Sequence, residues 1–361
     1  MKKGRKLLCV ITAVLLVFSL CSCNNYKLSA EKLQNYSVYC FALKVGESKE
    51  FDFDEIFANC SVKADRIEID NSSKIYSVKG NTITAKNTGV IEVSAKHYNN
   101  ETMMVYEVSL GMLYAYDEKD FFKIRTVEDL QAVKGKNNYL LMNDLDLSSV
   151  ENWKPIDRYS GMFINPNGYV IKNLNIENET SCEPENRGGL FDMISGGFLY
   201  NIKLENVNVN AYTSVGWTAS AGAIVGSFYN GYLLDCSAKG NVTAASYVGG
   251  IAGACSFATI ENCTFEGNVV NISRDEEIDH TSNVAGGIVG YTMADSKDAV
   301  QARIVNCSVN ANLTAEGSVG GISAYVWGKK CIQNCSFSGQ FSETALYKGE
   351  YYGFAFEDSQ K

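Results

Sequence analysis

Hydrophobic and polar positions change period along the chain, and each change predicts a different element. Residues 7–20 form an apolar run behind a basic start. The run is shorter than the ~20 residues that span a bilayer, and its charge layout is that of an export signal. From 37 to 112 apolar and polar residues alternate in short bursts: "YSVYCFALKVGES", "RIEID", "IYSVKGNTITAKNTGVIEVSAKHY" and "MMVYEVSL". Period two broken by Gly and Asn turns predicts antiparallel strands. Thr126-x-x-Asp129 has the form of a capping box, with Asp where Glu is usual, and opens a short amphipathic helix through about Val133.

Beyond residue 160 the pattern repeats. Ile171-Lys172-Asn173-Leu174-Asn175-Ile176 sets a frame that returns around Asn201, Asp235, Asn262, Asn306 and Asn334, at intervals of 28, 34, 27, 44 and 28 residues. A glycine frame precedes five of these: Gly188-Gly189-Leu190, Gly222-Ala223-Ile224, Gly249-Gly250-Ile251, Gly286-Gly287-Ile288 and Gly320-Gly321-Ile322. Repeats of this length mean stacked units, each too small to bury its own face. No 3.6-residue stripe is present, so the units are not helical. The pattern predicts a parallel β-helix with about three short strands per coil, equivalent strands pairing at ~4.8 Å. Leu174, Ile202, Cys236, Cys263, Cys307 and Cys335 then stack inside the coil, and the Asn or Asp before each stacks at a bend. Segments 211–220, 271–283 and 292–301 are expected as outward loops. The four cysteines are expected as buried free thiols, because in-register side chains point the same way and make poor disulfide geometry.

Three resemblances rest on these residues. Leu20-Cys21-Ser22-Cys23 resembles the lipobox of bacterial lipoproteins, which implies cleavage after residue 22 and lipidation of Cys23. "LKVGES" and "SVKGNTITAKNTGVIEVSA" resemble a group-2 bacterial Ig-like domain, which implies a spacer or adhesive module; the tryptophan common in that family is absent. "SGMFINPNGYVIKNLNI", "GGLFDMISGGFLYNIKLENVNV" and "VGGIAG…IENCTFEGNV" resemble the GLUG-motif repeats of bacterial surface proteins over roughly 121–345. That family implies right-handed parallel β-helices in adhesins and in non-catalytic parts of some secreted peptidases. The fold expected is therefore all-β. A lipoprotein signal peptide (1–22) and a lipidated tether (23–36) precede an Ig-like β-sandwich (37–112). A β-helix cap with a short helix (113–159) leads into right-handed parallel β-helix repeats (160–361).

Charge and composition narrow the function. The formal net charge is −9, and it falls to −13 once Lys2, Lys3, Arg5 and Lys6 leave with the signal. So acidic a surface argues against nucleic acid and against docking on anionic lipid. The chain holds 2 histidines, His97 and His280, which limits imidazole chemistry. His-Glu-x-x-His, Gly-x-Ser-x-Gly and phosphate-loop motifs are all absent from the sequence. "CIQNC" (331–335) has no second pair to make a zinc site, and no cofactor is expected. The nearest acidic cluster, "RDEEIDH" (274–280), reads as a solvated insertion loop; Asp144 and Asp146 read as polar groups at strand exits. Cys40 and Cys60 fall in the Ig-like segment, and the sequence does not decide whether they are bridged.

Aromatic residues follow each glycine frame: Tyr229, Phe257, Tyr291, Tyr325 and Trp327 are the candidate ligand-binding residues. Stacked on successive rungs they would form a stripe suited to sugar rings or a protein partner, or would fill the core. The expectation is a non-catalytic adhesin or binding protein, anchored outside the cytoplasm through Cys23 and exposed on the bacterial surface. Its partner would be a glycan or a host or neighbour surface protein. Two alternatives stand beside it. One is a polysaccharide lyase or hydrolase that would depend on Asp275, Glu276 or Asp279; the other is a structural envelope component.

Overall fold

The computed structural model describes residues 27–28, 40–57, 64–180, 186–213, 219–272, 281–293, 302–327 and 331–355. The chain divides into two compact units, Met1–Asp117 and Glu118–Lys361. The export signal, Cys23, Cys60 and the 274–280 cluster lie outside the described residues.

The first unit is a small β region of two sheets, one of five strands and one of three. Its longest strands, Gly89–Asn99 and Met104–Tyr116, pair antiparallel, with a register shift between Val93 and Ser94. The second of them runs past the boundary expected at 112. Alternation turns Phe41, Phe51, Ile83, Val93, Leu110 and Leu113 inward to one core. Phe41 and Phe51 meet edge to face, with centroids 5.8 Å apart. Cys40 begins a strand, Cys40–Lys44, and is half-buried.

The second unit is a stack of parallel sheets. One coil shows the plan: Ala219–Ala221, Val225–Tyr229, Tyr232–Leu234 and Ser237–Ala244, after which Tyr247–Gly249 begins the next coil. From Asn186 onward each full coil thus has four strands rather than three. We call the sheets they build I, II, III and IV in that order; they contain six, six, eight and eight strands. Every pairing within them is parallel and joins equivalent segments of neighbouring coils, such as Leu233 with Ile260 and Ile260 with Ile304. The expected outward loops are shorter than the sequence pattern suggests. Strand Lys203–Thr213 takes up the start of 211–220, and strand Ala219–Ala221 takes up its end.

The segment expected as a cap supplies both a helix and the first strands. Helix Val127–Gln131 starts at a full capping box: Thr126 Oγ1 accepts from the Asp129 N–H, and Asp129 Oδ2 accepts from the Thr126 N–H. Leu130 of this helix is fully buried in the core of the stack. Strands Phe122–Ile124 and Tyr139–Leu141 already belong to sheet III, and Leu145–Asp146 to sheet IV. Their coils lack the glycine frame, so the repeat is invisible there. Asp144 and Asp146 sit at the edge of sheet IV as acceptors. Asp144 Oδ1 takes the Val170 N–H and Asp146 Oδ1 takes the Asn173 amide. The Asn173 hydrogen bond, with those from Ser148, holds the Asp146 carboxyl below its ordinary range.

Sheet III passes to sheet IV through one residue. Asn201, Asp235, Asn262, Asn306 and Asn334 occupy that place, with φ of 57°, 55°, 54°, 53° and 51°. Asn173, expected to stack with them, lies instead within sheet IV, between strands Val170–Lys172 and Asn175–Thr180, and its φ of 61° marks a bend shared with Asn206 at 54°. The corner place of that coil falls to Asn165, whose N–H donates to Tyr200 O. This left-handed conformation costs most L-residues about 1–2 kcal/mol, and Asn and Asp bear it best after glycine. The backbone N–H at the corner donates onward: Asn201 to Leu234 O, Asp235 to Glu261 O, Asn262 to Val305 O and Asn306 to Gln333 O. Side chains link two of the corners directly, Asn262 Nδ2 donating to Asp235 Oδ1 at 2.9 Å.

The glycine frame has a different cause, excluded volume. A Cβ on Gly249 would sit 2.0 Å from Ala252 O, and one on Gly250 would sit 2.3 Å from both Gly287 O and Phe265 Cγ. The second glycine makes room for the large inward residue of sheet IV: Phe265, Val309 or Phe337. Where alanine takes its place, at Ala223, the inward residue of that coil is Ala238, in register with Phe265. Volume is conserved within the coil, as a close-packed interior demands.

Asn262→Val should therefore destabilise the protein by about 1–2 kcal/mol, and Asn262→Gly by less than half as much. Urea unfolding followed by far-UV circular dichroism measures both; equal losses would remove backbone conformation as the reason for asparagine at the corner.

Candidate functional site

The residue after each corner points to the axis. Ile202, Cys236, Cys263, Cys307 and Cys335 are all buried; Leu174, expected in the same column, is buried too but within sheet IV rather than after a corner. Cys236, Cys263, Cys307 and Cys335 are thiols with no disulfide, each donating to a backbone carbonyl close by; Cys236 Sγ lies 3.1 Å from Leu234 O and Cys263 Sγ 3.2 Å from Glu261 O. Burial pushes the Cys263 thiol well above its ordinary pKa. Buried and bonded to carbonyls of their own turns, the four thiols act as small apolar filler.

The outer aromatics divide into two groups. The outer faces of sheets I and II confront each other, because a third glycine, two residues after the Ile of the frame (Gly226, Gly253 and Gly290), removes the side chain between them. A Cβ on Gly253 would lie 2.5 Å from Ala221 N, and one on Gly290 2.6 Å from Val248 N. Rings fill the cleft so formed toward the late coils. Tyr291 and Tyr325 are in register on sheet II and stack at 4.6 Å with an 8° interplanar angle. Tyr247 of sheet I packs on Tyr291 at 4.7 Å, and Phe354 continues the stack beyond Tyr325 at 5.6 Å. Tyr325 is 3% exposed, so its ring faces protein on both sides. Tyr229 and Phe257 stand apart, at the turn after sheet II, edge to face at 5.5 Å. Tyr229 is 44% exposed and presents the most open ring of the five candidates. Trp327 is half-buried, and its backbone N–H donates to Thr292 Oγ1. The structure therefore brings Tyr291 to Tyr325 and Tyr229 to Phe257, but makes no continuous stripe of the five. Tyr247 and Phe354, which complete the stack, fall outside the turn that marked the others in the sequence. Their signal is the sheet register.

At the early end of the same cleft polar groups replace the rings. Arg187 Nε donates to Ser227 Oγ at 3.0 Å, and its guanidinium lies 3.7 Å from the Asp192 carboxylate. Burial, opposed by the Arg187 charge, pushes Asp192 up to about 6, with a hydrogen bond to Asp157 adding to the rise. Such a group holds two sheet faces together through its ion pair as well as it could move a proton. Among the described residues no three His, Cys, Asp or Glu side chains group to hold a metal.

Comparison with known proteins agrees with the repeat. Residues 244–270 match the GLUG motif, and the matched span runs from the end of one sheet IV strand through the full coil to the next. Halomucin of Haloquadratum walsbyi is 24% identical over 241 residues. That alignment takes in 58% of this chain and 2% of halomucin, so the chain spans only a small fraction of that relative's length. Among solved structures, a protein from Bacteroides ovatus described as a candidate immunoglobulin A1 protease aligns with 65% of this chain and 83% of its own, at 16% identity and a TM-score of 0.41.

A water-soluble maleimide should leave Cys236, Cys263, Cys307 and Cys335 unmodified in the folded protein at neutral pH and modify all four after denaturation. Peptide mass spectrometry reads both states; rapid native labelling of Cys263 would place that thiol outside the coil.

Proposed function

We propose that this protein is a non-catalytic binding protein of the bacterial surface, held outside the cytoplasm by a lipid on Cys23 and presenting its solenoid to a glycan or protein ligand. One observation carries this reading. The inward positions of the coil are spent on packing, while strand pairing holds the outward ones in columns at rung spacing. A rigid array of that kind loses little conformational entropy on binding, and preorganisation is the main lever on affinity when no bond chemistry is involved. The acidic composition turns it away from nucleic acid and anionic lipid. The GLUG match supports the reading through the kind of repeat it marks. In the first unit, the short β region that resembles an Ig-like module serves as the spacer between lipid and solenoid.

A glycan and matrix-protein array probed with soluble residues 24–361, run beside a reducing-sugar assay on the same polysaccharides, tests this function. Saturable binding without product is expected. Release of reducing ends or unsaturated products would replace it with a polysaccharide-processing enzyme, and an array without any binder would leave a structural envelope component.

A further inference from the structure

The long strands of sheet IV carry a second surface, away from the aromatic cleft. Gly240, Gly267 and Gly339 are aligned on successive strands with φ of 148°, 143° and 148°, and Ala311 is in register between the last two. A Cβ on Gly267 would lie 1.8 Å from Gly240 O, so the row must stay nearly bare. On the corner side of this row the outer face is concave. It holds a groove of about 480 Å³ that crosses successive strands along the stacking direction.

The lining of this groove repeats with the rungs. Ser237, Thr264, Ser308 and Ser336 stand in register and place one hydroxyl on each strand. Next to them are Lys239 and Glu266, joined at 2.7 Å, and then Asn310 and Ser338. Glu205 at the early end is matched by Lys172 at 3.5 Å. The charges are thus neutralised in pairs. Across the glycine row runs an exposed amide column: Asn312 Nδ2 donates to Asn268 Oδ1 at 3.0 Å, and Asn268 Nδ2 to Asn241 Oδ1 at 2.7 Å. Asn312 and Asn268 each spend one N–H along the column and keep a second for a ligand.

Three classes of ligand can be weighed against this lining. A peptide adding as a strand needs an open sheet edge and would extend the sheet, whereas the groove crosses strands that are paired on both sides up to Ser308–Thr314, with an open edge only at the last, Ser336–Phe341. A protein hot spot needs an exposed aromatic or Arg anchor, but the two rings of the lining, Phe265 and Phe337, pack into the core. A charged polymer needs unbalanced charge of the opposite sign, and the ion pairs leave little. Hydroxyls and amides, which both donate and accept, match a chain of neutral hydroxyl groups. Their ~4.8 Å rung spacing suits a polymer lying along the stack.

We propose that this groove binds an extended, uncharged glycan, with Thr264 and Ser308 bonding to the hydroxyls of successive sugar residues and Asn268 and Asn312 bonding along its flank. The site deepens the binding function proposed above and rests on it. It is independent of Tyr229, which lies at the end of sheet II.

Isothermal titration of the full chain with neutral linear hexasaccharides of glucose, mannose and galactose provides the test, beside an oligogalacturonate as a charged probe. The double variant Thr264→Val/Ser308→Ala removes both hydroxyls with little change of shape at exposed strand positions and should fold with unchanged circular dichroism. It should bind the preferred neutral hexasaccharide about tenfold more weakly, as expected for two lost hydrogen bonds. Tyr229→Ala should bind it as the parent does. Three results would overturn the groove. They are parental affinity in the double variant, loss of binding in Tyr229→Ala, or binding of the charged probe alone; each of these leaves a binding protein with its site elsewhere. Failure of every saccharide here together with an empty array would remove the binding function itself.

Discussion

The structure depends on a single corner, where one residue per coil from Asn201 onward adopts a left-handed backbone while its N–H reaches the next coil. Sheets III and IV can stack only if this corner falls at the same angle in every turn. A residue that resists the conformation would raise the energy of its own corner and would also weaken pairing on both flanking strands. Asparagine and aspartate satisfy the constraint with a short polar side chain that tolerates positive φ. The residue that follows is then driven inward. A thiol there fills the narrow interior at the corner with a small, soft group that also bonds to the carbonyls beside it. Corner and thiol are therefore one device, repeated.

This device is also why so much of the stack was legible in the sequence. The Asn-Cys pairing sits at a fixed offset from apolar alternation, so from Asn201 onward the inward column and the bend could be placed from periodicity alone; the Asn173 frame looks the same in sequence but belongs to a bend within sheet IV. The interval between corners varies from 27 to 44 residues without breaking the frame, because the additional residues fall between strands. The number of strands per coil was harder to see. Strands of sheets I and III are mostly three residues long, too short for alternation to declare itself. The role of the third glycine was hidden for another reason. Gly253 and Gly290 face strands of a neighbouring sheet across an outward cleft, and a one-dimensional pattern records no such contact.

The candidate site was less legible than the fold, for the same geometric reason. Tyr291 and Tyr325 have the spacing of outward residues, and on a convex surface their rings would be open. Because sheets I and II turn their outer faces toward each other, outward positions become a second interior, and ring stacking closes it. Tyr229 stays open since it lies past the end of that cleft. The polar groove of sheet IV carries no aromatic signal at all. Ser237, Thr264, Ser308 and Ser336 look like ordinary solvent-facing residues in sequence, and only their register makes a surface of them. Function in such a scaffold is a property of columns more than of single residues.

Native-state hydrogen exchange at the corner amides of Asn201, Asp235, Asn262 and Asn306 tests the stacking most directly. If each is bonded to a carbonyl of the next coil, all four should exchange only through opening of the stack, as slowly as the centres of the sheet IV strands. Exchange at the rate of exposed turns would mean that the corners do not carry the ladder, and the coil would have to be held together in some other way.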